Sequence, residues 1–210
     1  MTEESPIVFV IDDDASARRG FARLLRAAGF QVETYSNAQK YLNRDTYDGP
    51  GCILLDVKMP GLNGLELQTI LGERGDTRPV VFVTGQGDVP SATKALKSGA
   101  QDFLTKPVDG DQLLSIVGKS IEMDMAAREE HAQLIVISRR LKRLSPREYE
   151  VMTHVIAGKL NKKIAIDLGI SEETVKIHRG RVMHKLAVAS VADLVRLADR
   201  ANVAPAVPRT

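Results

Sequence analysis

Cys52-Ile53-Leu54-Leu55-Asp56-Val57-Lys58-Met59-Pro60-Gly61-Leu62-Asn63-Gly64 is the stretch whose reading decides the fold. Its apolar run is too short for a helix and ends in a Pro/Gly-rich turn, so it reads as a buried strand that carries Asp56 to the carboxyl end of a sheet. A carboxylate in that position costs free energy unless it is paired or functional. Two other strand ends supply company. Asp12-Asp13-Asp14 closes Ile7-Val8-Phe9-Val10-Ile11, and Lys106 follows Phe103-Leu104-Thr105. Any one Asp after a strand is more often a helix cap or turn residue. Converging carboxylates with a lysine, however, make a hard-cation site with a clamp for phosphoryl oxygen.

The rest of the first half alternates strand and helix. Phe21, Leu24, Leu25 and Ala28 recur at helical spacing before Gly29, Gln31 to Tyr35 alternates as a strand, and Asn37 is placed to cap a short helix. Leu65, Leu67, Ile70 and Leu71 mark the next helix, followed by the buried strand Pro79 to Val83 ending at Thr84. Ala92, Ala95 and Leu96, then Leu113, Leu114, Ile116, Val117 and Ile121, mark two more helices. This order predicts an α/β domain with a doubly wound, five-stranded parallel sheet over residues 1–125.

Charge divides the chain at the same place. Residues 1–125 carry 18 acidic and 13 basic side chains, net −5, and residues 126–210 carry 9 and 16, net +7. The acidic half suits metal and phosphodonor chemistry, and the basic half suits a polyanion. The single cysteine, Cys52, excludes a disulfide framework and fits a reducing cytoplasm. Neither a signal peptide nor a membrane-spanning apolar run is evident. No Gly or Pro occurs from Lys119 to Ser145, which predicts a helical linker over 126–143 that extends the helix before it. Leu134-Ile135-Val136-Ile137 within it suggests docking onto a neighbour. Arg139-Arg140-Leu141-Lys142-Arg143 reads as a solvated face, with phosphate contact as the alternative.

A second, all-α domain is expected over 144–203. Ser145-Pro146-Arg147-Glu148 is a capping box with Pro at the first helical position, leading a face of Tyr149, Val151, Met152, Val155 and Ile156. Asn161 is the expected cap of a second helix that ends at Gly169, and Ser171 caps a third over about Glu172 to Leu186. Together they form a helix-turn-helix. Val175, Val182 and Leu186 share one stripe of the third helix; Glu173, Ile177, Gly180 and His184 lie opposite, and no acid follows Glu173 through Val191. That is the pattern of a major-groove recognition helix, with Gly180 implying close backbone approach to DNA or to the partner helix. Val191, Leu194, Val195 and Ala198 mark a fourth helix. The tail from Ala201, including residues 204–210, is expected to be disordered.

Val10-Ile11-Asp12-Asp13, Leu55 to Gly61, Val83-Thr84-Gly85 and Phe103-Leu104-Thr105-Lys106-Pro107 resemble the receiver domain of bacterial two-component response regulators. Thr174-Val175-Lys176-Ile177-His178, within Asn161 to Leu186, resembles the output domain of LuxR/NarL-type regulators, and Gly85-Gln86-Gly87-Asp88-Val89-Pro90 places the whole chain closest to the FixJ group. The resemblance implies a phosphorylation-activated transcriptional regulator, an activator and not an enzyme. Asp56 would be the phosphoryl acceptor. Asp12, Asp13, Asp56 and the carbonyl of Lys58 would hold Mg²⁺, and Lys106 and Thr84 would contact phosphoryl oxygens. Thr84 and Phe103 would form the switch, with Phe103 equally readable as core, and Lys94, Lys97, Asp102 and Asp109 would lie on a homodimer face. Lys106-Pro107 would be cis. Lys176 and Ile177 would reach base edges, and Thr174, His178 and Arg181 phosphates. The implied partners are a sensor histidine kinase, promoter DNA, RNA polymerase and a second copy. Two rivals are an aspartate-nucleophile phosphohydrolase acting through Asp12, and a phosphate-independent DNA-binding protein with a relic receiver.

Overall fold

A computed structural model describes residues 5–85 and 101–207. The chain divides into two compact units, Met1–Arg128 and Glu129–Thr210. In the first, β1 (Ile7–Ile11), β2 (Gln31–Tyr35), β3 (Gly51–Asp56), β4 (Val80–Thr84) and β5 (Asp102–Thr105) pair in the order β2-β1-β3-β4-β5, every pairing parallel. β3 is central, buried on both faces, which is why its sequence is continuously apolar instead of alternating. Side chains pointing to one face, among them Phe9, Ile53, Leu55 and Phe82, pack with α2 (Ala38–Leu42) and α3 (Gly64–Glu73). Val8, Val10, Leu54, Val81 and Val83 point to the other, against α1 (Ala15–Ala27) and the first half of α4 (Gly110–Leu141). Each such side chain contributes about 1.5–3 kcal/mol on burial. The doubly wound sheet expected from the sequence is therefore present, with all five carboxyl ends on one edge.

Local chemistry sets where the elements begin. Asn63 and Glu66 form a capping box at α3, two bonds of 3.0 and 2.9 Å. The next residue must be glycine, because a Cβ on Gly64 would lie 2.4 Å from the carbonyl oxygen of Asp56 and 3.0 Å from the Phe82 ring. Close seating of α3 on the end of β3 thus fixes the backbone that presents Asp56. At the other end of β3, the Gly51 N–H donates to Asp124 of α4 at 2.9 Å, and Arg128 donates to the same carboxylate at 2.7 Å and to the Asp48 carbonyl at 2.6 Å.

α4 runs unbroken to Leu141, as the lack of Gly and Pro predicts. Of the apolar run at 134–137, Ile137 is buried in the core of the second unit while Ile135 and Val136 stay exposed. That core joins α5 (Pro146–Ile156), α6 (Asn161–Leu168), α7 (Glu172–Leu186) and α8 (Val191–Arg200) through Val151, Met152, Ile164, Val175, Val182, Leu186 and Leu194. The capping box of Ser145 and Glu148 is formed as expected. Tyr149 is exposed, since it lies at the flank of its stripe. Asn161 is not a cap: Leu160 holds that position without a side-chain bond, and the Asn161 amide oxygen instead accepts from Arg179 of α7 at 2.5 Å. Gly169, at φ +64°, makes the left-handed turn between α6 and α7. Two residues of the tail, which is described to Val207, are tied to this unit. Val203 packs on the core, its N–H donating to Ala198, and the Ala206 N–H donates to Thr153 at 3.0 Å.

Candidate functional site

β1 and β3 are neighbours in register, so the turn after Ile11 brings Asp12 and Asp13 beside Asp56. Oxygens of these three carboxylates lie within 4.8 Å of one another. Asp12 is 2% exposed, Asp56 6%, and Asp13 opens to solvent. Asp14, the third acid of the run, turns away and caps α1, accepting the Ser16 N–H at 2.7 Å, and that backbone bond foremost holds its carboxyl below the usual range. Lys106, just past the end of β5, reaches across to Asp12 at 2.7 Å and to Asp56 at 3.5 Å. Burial opposes its charge, but the bond and attraction to Asp12, aided by Asp56, leave its pKa raised. Asp56 is pushed up to about 6, first by burial and then by Asp12, with Lys106 offsetting part of the effect. One ammonium does not satisfy three carboxylates at this spacing, so the donor set fits a divalent hard cation.

Thr84 ends β4 one strand away, 1% exposed, and its hydroxyl has no hydrogen-bond partner among the described residues. A buried unpaired hydroxyl costs about 1–3 kcal/mol, which makes it a poised donor. The Lys106 N–H is bonded to the Thr84 carbonyl at 2.7 Å, and the Lys106-Pro107 peptide is cis. Phe103 is half-buried against the Phe9/Phe82 face, and the Lys58 side chain is exposed. Lys94, Lys97, the Gln86-to-Pro90 motif and the helix expected from Ala92, Ala95 and Leu96 lie outside the described residues. One contributor escaped the sequence reading. Arg18 of α1 donates to the backbone carbonyls of Asp12 at 2.6 Å and Asp13 at 2.9 Å, bracing the turn that carries both carboxylates. The only hint was an arginine one turn into the helix that follows the acids.

In the second unit α7 has the expected bounds, with Val175, Val182 and Leu186 inward. Lys176, Arg181 and Ile177, the last 48% exposed, face solvent. Lys176 bonds Glu173 at 3.3 Å, an exposed pair of little energetic weight. Thr174 shares a 2.8 Å hydroxyl contact with Ser171, and His178 is half-buried with Nδ1 enclosed. No described atom lies within 4 Å of a Cβ added at Gly180, so packing within the unit does not explain that glycine and the partner-helix alternative falls away. Lys185 turns inward to the buried Glu148 at 2.6 Å and to the Arg143 carbonyl at 3.2 Å.

Comparison with known proteins places both halves. Residues 8–118 match the response regulator receiver domain, and residues 142–198 match the bacterial regulatory proteins of the luxR family. The chain is 38% identical over 200 residues to the response regulator protein TodT of Pseudomonas putida, covering 95% of this chain and 88% of that one. It is 41% identical over 203 residues to the transcriptional regulatory protein FixJ of Azorhizobium caulinodans, covering 97% and 96%. Among solved structures, the response regulator StyR superposes with a TM-score of 0.85 at 41% identity, over 94% of this chain and all of that one. Among the described residues no helix is long and apolar enough to cross a membrane. With a receiver at one end and a luxR-family DNA-binding domain at the other, the chain belongs to the response regulators and is a phosphorylation-controlled transcriptional regulator.

Proposed function

We propose that Asp56 accepts the phosphoryl group from a phosphohistidine of a sensor kinase. A carboxylate oxygen of Asp56 forms the new O–P bond as the P–N bond breaks, and the proton needed goes to the departing imidazole. Mg²⁺ would be held by Asp12, Asp13, Asp56 and the Lys58 carbonyl, and would supply charge neutralisation between anionic nucleophile and anionic donor. The ammonium of Lys106 exchanges part of its pairing with Asp12 for a phosphoryl oxygen, and the free hydroxyl of Thr84 donates to another. The observation that carries this reading is the three-carboxylate cluster, two of whose members, Asp12 and Asp56, are bridged by Lys106.

The switch follows from Thr84. Once its hydroxyl gains a partner, β4 and Phe103 of β5 are biased toward a second arrangement, which favours pairing of two receivers through a face that includes Asp102 and Asp109. Dimerisation sets two α7 helices on a paired site, where Lys176 and Ile177 read base edges, Thr174, His178 and Arg181 hold phosphates, and the bound dimer recruits RNA polymerase as an activator in the cytoplasm. Treatment with acetyl phosphate and Mg²⁺ should convert monomer to dimer in sedimentation and tighten binding to a duplex selected from random sequence. A phosphorylated chain with unchanged mass and affinity would refute the coupling.

A further inference from the structure

From Ser138 to Arg147 the chain carries no acid and five cations: Arg139, Arg140, Lys142, Arg143 and Arg147. Their environments divide them. Arg140 donates to the Leu186 carbonyl at the end of α7 at 3.1 Å, and Arg147 is held by Glu150 and by the Leu168 carbonyl. Arg139, Lys142 and the Arg143 side chain are exposed and have no partner among the described residues. A helix C-terminus favours cations within its last turn, which accounts for Arg139 but not for Lys142 and Arg143 beyond Leu141. Like charges three and four residues apart repel one another, and no acidic side chain among the described residues pairs with Arg139, Lys142 or Arg143.

The cluster is fixed in place. Arg140 to Leu186, together with Lys185 to the Arg143 carbonyl and to Glu148, ties the end of α4 to the last turn of α7. Exposed Arg181 precedes that turn and exposed His184 lies in it, so the uncommitted cations continue the acid-free end of α7 beyond its C-terminus.

We propose that Arg139, Lys142 and Arg143 form a second DNA contact, gripping backbone phosphates that flank the segment read by α7. Arg139 lies outside the luxR-family match, so the contact belongs partly to the linker. This rests on α7 being the DNA-reading element. Three exposed cations facing a polyanion release counterions and steepen salt dependence by about 0.9 per neutralised phosphate. They carry no base information.

The test uses the full chain, phosphorylated with acetyl phosphate, and a duplex selected by the wild-type protein from random sequence. The triple variant Arg139→Gln, Lys142→Gln, Arg143→Gln should bind it with a salt slope lower by about two to three per bound protomer and an unchanged base preference. Trimming the duplex to the base pairs protected by α7 should lower the wild-type slope to that of the variant and leave the variant unaffected. An unchanged slope in the variant, or a variant deficit that persists undiminished on the trimmed duplex, overturns the flanking contact while leaving α7 as reader. Absence of binding by the wild-type chain to any duplex overturns both readings.

Discussion

Asp56→Asn should stabilise the receiver when no metal is bound. The folded protein holds the Asp56 proton to about pH 6, against an ordinary value of 3.8, because burial and the neighbouring Asp12 disfavour its charge. Folding therefore costs free energy above pH 6, where the carboxylate must be ionised, and costs nothing extra below about pH 4, where folded and unfolded chains both carry the proton. At 1.36 kcal/mol per pH unit the ceiling is about 3 kcal/mol, and solvent at the mouth of the crevice reduces it to about 1–2 kcal/mol. Asparagine has the same shape and does not titrate. Amide exchange of the buried β3 residues Ile53 to Leu55 reads the stability of this unit separately from the other. At pH 7.5 in chelator the variant should exchange roughly ten-fold more slowly, a gap that closes at pH 4. Mg²⁺ should then slow exchange in the wild type far more than in the variant. A variant as labile as wild type at pH 7.5, or a gap that survives at pH 4, would refute the view that burial and the Asp12 charge together disfavour the ionised Asp56.

Three further predictions concern transmission, reading and stability. Thr84→Ala should accept phosphate, since Asp56, Lys106 and the metal ligands remain, yet fail to couple it to dimer formation; sedimentation of the phosphorylated variant checks this, and a normal dimer removes Thr84 from the switch. Arg181→Ala should weaken binding to cognate and unrelated duplexes alike and lower the salt slope by about one per bound protomer, whereas Lys176→Ala should forfeit about 1–3 kcal/mol of discrimination at one base pair per half-site. Equal losses on both duplexes for Lys176→Ala would reduce it to a phosphate contact. Glu148→Ala leaves the Lys185 ammonium and the Ser145 N–H without their shared partner, so the second unit should lose about 2 kcal/mol at neutral pH. The bond to Lys185 holds the Glu148 carboxyl below its ordinary 4.5, so that contribution is complete above pH 4.5 and fades as pH falls through the lowered value. Urea melts of wild type and variant at a series of pH values from 7 downward should show the gap narrowing as pH falls below 4.5.

The sheet was legible because its signal is periodic and local. A short apolar run closed by Met59-Pro60-Gly61 admits little but a buried strand, and three such runs ending in Asp12, Asp56 and Lys106 specify their convergence once the strands are parallel. The bounds of α7 follow likewise from Ser171 and the Val175/Val182/Leu186 stripe. What the sequence hid depends on partners that only the fold supplies, whether distant in the chain or on the backbone. Asn161 has the chemistry of a cap, but Arg179, 18 residues later, captures its amide oxygen. Arg18 braces the acidic turn through carbonyls, which every residue possesses and no motif marks. Lys185 has the sign of a DNA contact, and only the fold reveals the buried Glu148 that turns it inward. Asp14 shows the reverse: it belongs to the acidic run by sequence and to α1 by geometry.

Asp56 is proposed as the one carboxylate through which the signal enters. Incubating the full chain with acetyl phosphate and Mg²⁺, trapping the acyl phosphate by borohydride reduction and mapping peptides by mass spectrometry addresses it directly. A single modification is expected at Asp56, absent without Mg²⁺ and absent from Asp56→Asn. Modification at Asp12 or Asp13 in the wild type, or undiminished labelling of Asp56→Asn, would contradict it.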